Sequence, residues 1–156
     1  MTAKGYSIGK DHLYYFYRFI ILPWELEWVD RKFHIGEGDL RNYCLEHRIN
    51  IKSFESADKL VVAISTKYEV EKNEAAGILW FVRNDTKPKD TLRHLRNCFA
   101  HGNFKKNQTN RVICISIENI DKGRLKAKGF MPINKLDGLV RAANSCEIQI
   151  PSQSKH

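Results

Sequence analysis

The stretch "LRHLRNCFAHGNF", residues 92–104, is where the periodicity of this chain changes. Each helical residue turns about 100°, so Leu92, Leu95, Cys98 and Phe99 gather on one side of a helix. Gly102 follows where a helix C′ residue takes left-handed backbone. Beyond it "RVICISIENI" alternates, and Ile113, Ile115 and Ile117 share one face of a strand. "DKG" at 121–123 is a turn signal and "RLKAKGFM" a returning strand, which predicts a β-hairpin over 111–131.

The polar side of the helix raises a chemical question. Arg93, Asn97 and His101 step by four and form a stripe opposite the core face, with His94 beside them and Arg96 on the flank. A solvated helix face has this pattern, and basic residues near a C-terminus complement the helix dipole. The same groups also suit work on phosphate. An unperturbed imidazole titrates near ~6.5, within reach of neutral pH. A guanidinium clamps phosphate oxygens through two parallel hydrogen bonds. An amide one turn below the imidazole can orient it or bond a ribose hydroxyl. Base, cation and acid are the parts that cleave RNA without a metal. Arg96 and His101 stand about 140° apart on an ideal helix, so one helix does not turn both to one phosphate. Two such helices across a two-fold axis would, and they would supply a second imidazole.

Working towards the N-terminus, the chain reads as helical. "DHLYYFYRFIIL" is apolar enough for a buried helix, with Pro23 opening the next segment, "PWELEWVDRKF". "GEG" at 36–38 is a turn, and Asp39 is a cap for "LRNYCLEHR". Ser56 caps a helix carrying Leu60, Val61 and Ile64, and "EKNEAAGILWFVRN" reads as another helix. Pro88 in "DTKPK" interrupts the pattern, so Asp90 or Thr91 restarts it. Asn134 caps a last helix with Leu136, Leu139, Val140 and Ala143. The fold class is therefore mainly α (α+β), a helical bundle with a late β-hairpin and a C-terminal helix. Residues 1–150 make a single domain and 151–156 a disordered tail.

With 26 Lys and Arg against 18 Asp and Glu, the formal charge is +8, which favours an anionic partner such as RNA or keeps the chain soluble. Lys105, Lys106 and Arg111 follow the stretch, and Arg124, Lys126 and Lys128 alternate along the returning strand. Together they suit a basic lip that guides a phosphate backbone towards His101. Lysines that protect an exposed sheet edge give the same pattern. "YYFYRF" at 14–19 suits base stacking or, more simply, core or dimer packing. Four cysteines lack zinc-knuckle spacing and read as small apolar residues in a reducing cytoplasm. No apolar run approaches the ~20 residues that span a bilayer, and the N-terminus lacks a signal-peptide core. No phosphate loop or dinucleotide fingerprint occurs. No cofactor and no metal are expected.

At "RNCFAH", residues 96–101, the chain resembles the HEPN superfamily (higher eukaryotes and prokaryotes nucleotide-binding). That family's signature is an arginine, a polar residue, a short variable run and a histidine, and "LRNCFAHG" is similar to its commoner bacterial form. The resemblance implies an up-and-down helical bundle that dimerises with its two motifs at the interface. It implies a metal-independent endoribonuclease of a toxin–antitoxin or phage-defence system, with Arg96 and His101 catalytic and Asn97 supporting. The RNA-binding set is then Arg93, His94, Lys105, Lys106, Arg111, Lys126 and Lys128. Partners are RNA, a second copy and an antitoxin or defence protein. Some toxin members place a modifiable tyrosine two residues after the histidine, where this chain has Asn103. Other members are non-catalytic modules that bind RNA, a nucleotide or a protein, and that alternative stays open.

Overall fold

The computed structural model describes residues 10–33, 38–109 and 112–146. Arg111, most of the turn at 36–38 and the tail 151–156 lie outside them. Helix α1 (Lys10–Phe16) runs without a break through a π-helical turn, Tyr17–Ile21, into α2 (Leu22–Leu26), where Pro23 sits in the first turn. A 3₁₀ turn at Trp28–Asp30 follows, then α3 (Gly38–His47). Strand β1 (Ile49–Phe54) leads through α4 (Ala57–Ala63), a second π-helical turn and α5 (Glu69–Glu74) to β2 (Gly77–Val82). Helix α6 (Lys87–Ala100) precedes β3 (Phe104–Thr109), β4 (Val112–Asp121), β5 (Arg124–Pro132) and α7 (Ile133–Asn144).

A helical bundle is not what these residues build. Among the described residues five strands form one mixed sheet, in the order β1-β2-β5-β4-β3. The fold is α+β, and the hairpin β4–β5 is the middle of the sheet instead of an appendage. Strands β1 and β2 are parallel, joined by the α4–α5 crossover, and every other pairing is antiparallel. The error lies in "AAGILWFV". Its apolar run suits a buried helix as well as a strand enclosed on both faces, because neither shows a polar period. Gly77 to Val82 are all buried. The preceding helix stops at Glu74, and Ala75 turns to extended backbone. Strands β1 and β3 were masked by their own polarity: "INIKSF" and "FKKNQT" are edge strands.

Each face of the sheet has its own core. On one face Leu79, Phe81, Ile115, Ile117, Ala127 and Met131 pack against α6, α7 and the N-terminal helices. On the other, Ile78, Trp80 and Val82 pack against Ala57, Leu60, Ala63 and Tyr68. Phe16, Phe99 and Phe104 lock the first face at the end of α6: Phe16 stacks on Phe99 at 4.0 Å, and Phe104 meets both edge-on. Phe16 therefore belongs to the core, whereas Tyr14, Tyr17 and Phe19 stay exposed. The helix-start signals resolve in detail. Ser56 caps α4 by accepting from the Lys59 amide. Thr86, ahead of Asp90 and Thr91, caps α6, and Pro88 fits in the first turn where its missing N–H has no cost. Pro132, not Asn134, precedes α7. No helix is long and apolar enough among the described residues to cross a membrane.

Gly129 reports on the central pairing. It faces Leu79 across β2–β5, and a Cβ there would lie 2.8 Å from the Ile78 carbonyl oxygen, 3.0 Å from Leu79 and 3.2 Å from Ile117. Gly129→Ala should cost about 1–3 kcal/mol by overpacking, measured by urea denaturation. An unchanged midpoint would contradict this register.

Candidate active site

Helix α6 is amphipathic in sequence, yet nine of its 14 residues are buried. It is clamped at both ends. At the start, the fully buried Asp90 carboxylate accepts from the Asn84 and Asp85 amides through Oδ2, at 2.8 and 2.9 Å. Its Oδ1 lies 3.7 Å from Arg93 Nε. Burial holds this carboxyl above its ordinary pKa in spite of both amides and the guanidinium. Arg93 also covers Trp24, with its guanidinium carbon 5.0 Å from the ring centroid.

At the end, the backbone closes a Schellman motif. The Asn103 amide donates to Cys98 O at 2.7 Å and the Gly102 amide to Phe99 O, while Gly102 takes φ +69°. The Asn103 carbonyl then accepts from the Glu118 amide of β4. His101, at the C-cap, is thus exposed on a turn tied to both the helix and the sheet. Asn97, one turn below, holds its Oδ1 on Arg96 Nη1 at 2.9 Å, which turns its Nδ2 hydrogens away from that pair. The other arginine nitrogen, Nη2, pairs with Glu25 of α2.

His94 lies beneath this surface, only 2 % exposed and stacked on Phe81. Its ring donates from Nε2 to the Val82 carbonyl at 3.0 Å. A carbonyl accepts only from N–H, so in the neutral ring Nδ1 is left as an acceptor. That atom is buried with no hydrogen-bond partner among the described residues. Burial pushes the imidazole down to about 4, against the pull of the carbonyl and with the help of Arg93 and Lys126. His94 is neutral at physiological pH and contributes an acceptor, not a charge.

Asn97, His101 and His94 line one cleft of about 290 Å³ with Val82, Asn84, Asn119, Asp121 and Lys126. Arg96 stands on the flank at Glu25, and Arg93 lies over Trp24. Lys128 points to the opposite face of the sheet, 3.6 Å from Glu118 and above Tyr68. Lys105 lines a separate depression with Tyr68, Glu118 and Lys128, and Lys106 is half-buried on β3. Asn84, Asn119 and Asp121 carry no motif and escaped the sequence reading. Their placement depends on where β2 and β4 end, and β2 was read as helix. The thiol of Cys98 faces the core and is pushed up to about 12 by burial, which disfavours its thiolate.

A family model, HEPN pEK499 p136, matches residues 10–153. The chain belongs to this HEPN family. No curated protein and no solved structure matches it. The match spans both the α6 turn and all five strands.

The neutral burial of His94 makes stability depend on pH. Its folded pKa is depressed below the unfolded ~6.5, so the unfolded chain binds the extra proton as pH falls. The contribution is complete above about 6.5 and is lost on descending towards about 4, a change on the order of 3 kcal/mol. Melting curves across this window should show a steep acid loss in the wild type and a shallower one in His94→Gln. Parallel curves would remove His94 as the cause.

Proposed function

We propose that this HEPN protein is a metal-independent endoribonuclease that works as a homodimer in the cytoplasm, as a toxin or phage-defence effector. The observation that carries the reading is His101, exposed on a rigid helix end, with Asn97 one turn below it and Arg96 on the same helix. Family membership and the formal charge of +8 support it. The two charged motif groups diverge: His101 opens on the cleft and Arg96 turns to the flank at α2. A second chain, turned about a two-fold axis, would bring its own guanidinium to the first chain's imidazole. The N-terminal helices that flank Arg96 leave Leu13, Tyr14, Tyr17, Phe19 and Leu26 exposed, an apolar surface of the kind an interface covers.

In this reading one His101 takes the proton from the ribose 2′-hydroxyl as O2′ attacks phosphorus. The partner subunit's His101 returns a proton to O5′ as the P–O5′ bond breaks. The products are a 2′,3′-cyclic phosphate and a 5′-hydroxyl. Arg96 offsets charge on the phosphorane, and Asn97 orients the guanidinium it bonds.

The pairing of Arg96 with Glu25 favours a second reading. A guanidinium neutralised within its own chain suits a module that binds RNA, a nucleotide or a protein without cleaving. Incubating the wild type and His101→Ala with RNA in EDTA separates the two. The enzyme leaves cyclic phosphate ends, and the variant is slower by about two orders of magnitude or more. Equal cleavage by both, or cleavage only after a divalent metal is added, sinks the ribonuclease reading. Saturable binding without cleavage selects the module. Sedimentation should find a dimer, and a monomer at working concentration removes the composite site.

A further inference from the structure

Strand β5 carries a device that the alternation of its lysines conceals. Its pairing with β4 runs regularly to Asn119↔Ala127, then shifts, so that Ile120 faces Leu125. Lys126 is left as an extra residue with no opposite number. A bulge of this kind re-aims one side chain while the strand around it keeps its register. Here it separates Lys126 from Lys128. Lys128 keeps to the far face and pairs with Glu118. Lys126 enters the cleft of His101, half-buried, with no ion pair or hydrogen bond among the described residues.

We propose that Lys126, Asn97 and His101 of one chain form a phosphate subsite for RNA, with Lys126 as its permanent cation. The inference rests on the ribonucleic-acid reading of the same cleft. Three side chains with donors line this one cleft: an ammonium with three N–H groups, the Asn97 amide, whose Oδ1 is taken by Arg96 and whose Nδ2 has no such bond among the described residues, and the His101 ring. Holding an ammonium in a half-buried cleft costs hydration, which an anion's oxygens restore. Asp121 also lines the cleft at the end of β4 and Asn119 stands beside it. The Asp121 carboxylate carries the same sign of charge as a phosphate, and the ammonium of Lys126 is the group in the cleft that offsets it. The Nδ1 of His94, which has no hydrogen-bond partner among the described residues, is buried at this cleft and out of reach of a bound nucleoside. Lys126 therefore does for one phosphate what Arg96, engaged with Glu25, does not do within its own chain. It is a positioning residue that sets which phosphate His101 meets.

The test uses a short 2′-O-methyl RNA, which binds but lacks the attacking hydroxyl. Fluorescence anisotropy against salt is recorded for the full chain and for Lys126→Ala, Lys126→Arg and Lys59→Ala, a lysine of α4 paired with Glu55, each checked for an unchanged melting temperature. Lys126→Ala should weaken binding roughly tenfold. It should also flatten the log–log salt slope by about 0.7, the value of one single-strand phosphate contact. Lys126→Arg should restore most of both, and Lys59→Ala should move neither. Equal losses in the two alanine variants would mean diffuse attraction and overturn the subsite, as would no loss at Lys126 or no binding at all. Cleavage of ordinary RNA is read separately. Loss of binding at Lys126 in a protein that never cleaves keeps the subsite and discards the nuclease. Undiminished binding in Lys126→Ala, with cleavage intact in the wild type, does the reverse.

Discussion

Strand β2 has no exposed residue, and the rest of the fold follows from that constraint. A strand buried on both faces needs a layer of helix above and below it and a hydrogen-bonded neighbour on each side. Strands β1 and β5 provide the neighbours, and α4–α5 close one face. Helices α6 and α7, with the N-terminal helices, close the other. The end of the strand then sets the start of α6. The Val82 carbonyl takes the His94 ring, and the residues just beyond, Asn84 and Asp85, are held by Asp90. A helix fixed at this point reaches its last turn beside the β4–β5 hairpin, where Asn103 bonds Glu118. The position of His101 is thus a consequence of burying six residues some twenty positions earlier.

The buried polar groups on α6 follow the same logic. Asp90, His94 and Arg93 all sit on a helix face that a simple wheel assigns to solvent. Each has been given specific partners, since a polar group removed from water without one is costly. Asp90 has two amides and a guanidinium, and Arg93 has Asp90 and the Trp24 ring. His94 has a carbonyl on one nitrogen only. Asp90 Oδ1, Arg93 Nε and Arg96 Nε likewise have no hydrogen bond among the described residues, so the polar groups of α6 are only partly satisfied.

The motif helix, its C′ glycine and the hairpin after it were legible because each rests on local rules. Amphipathic period, left-handed backbone and strand alternation are written within a dozen residues. The bundle was misread because "GILWFV" has no period of its own. Only the crossover from β1 reveals it as a strand, and β1 is itself polar and half-exposed. The candidate site was legible as a set of residue types and not as a place. Arg96, Asn97 and His101 could be selected from spacing. That Lys126 and not Lys128 shares a cleft with Asn97 and His101 is decided by one register shift between β4 and β5, which no count along the sequence reveals.

Arg96 and His101 finally show how a single helix can carry two charged groups without bringing them together. Five residues apart, they leave α6 in different directions, one towards α2 and the other into the cleft. Glu25 balances the arginine, so the guanidinium is half-buried with a partner instead of as a bare charge. The Schellman turn removes the flexibility that a helix end usually has and leaves the imidazole a fixed mount. The two groups are thus fixed in different ways: the arginine by an ion pair between side chains of two helices, the imidazole by hydrogen bonds that belong to the backbone.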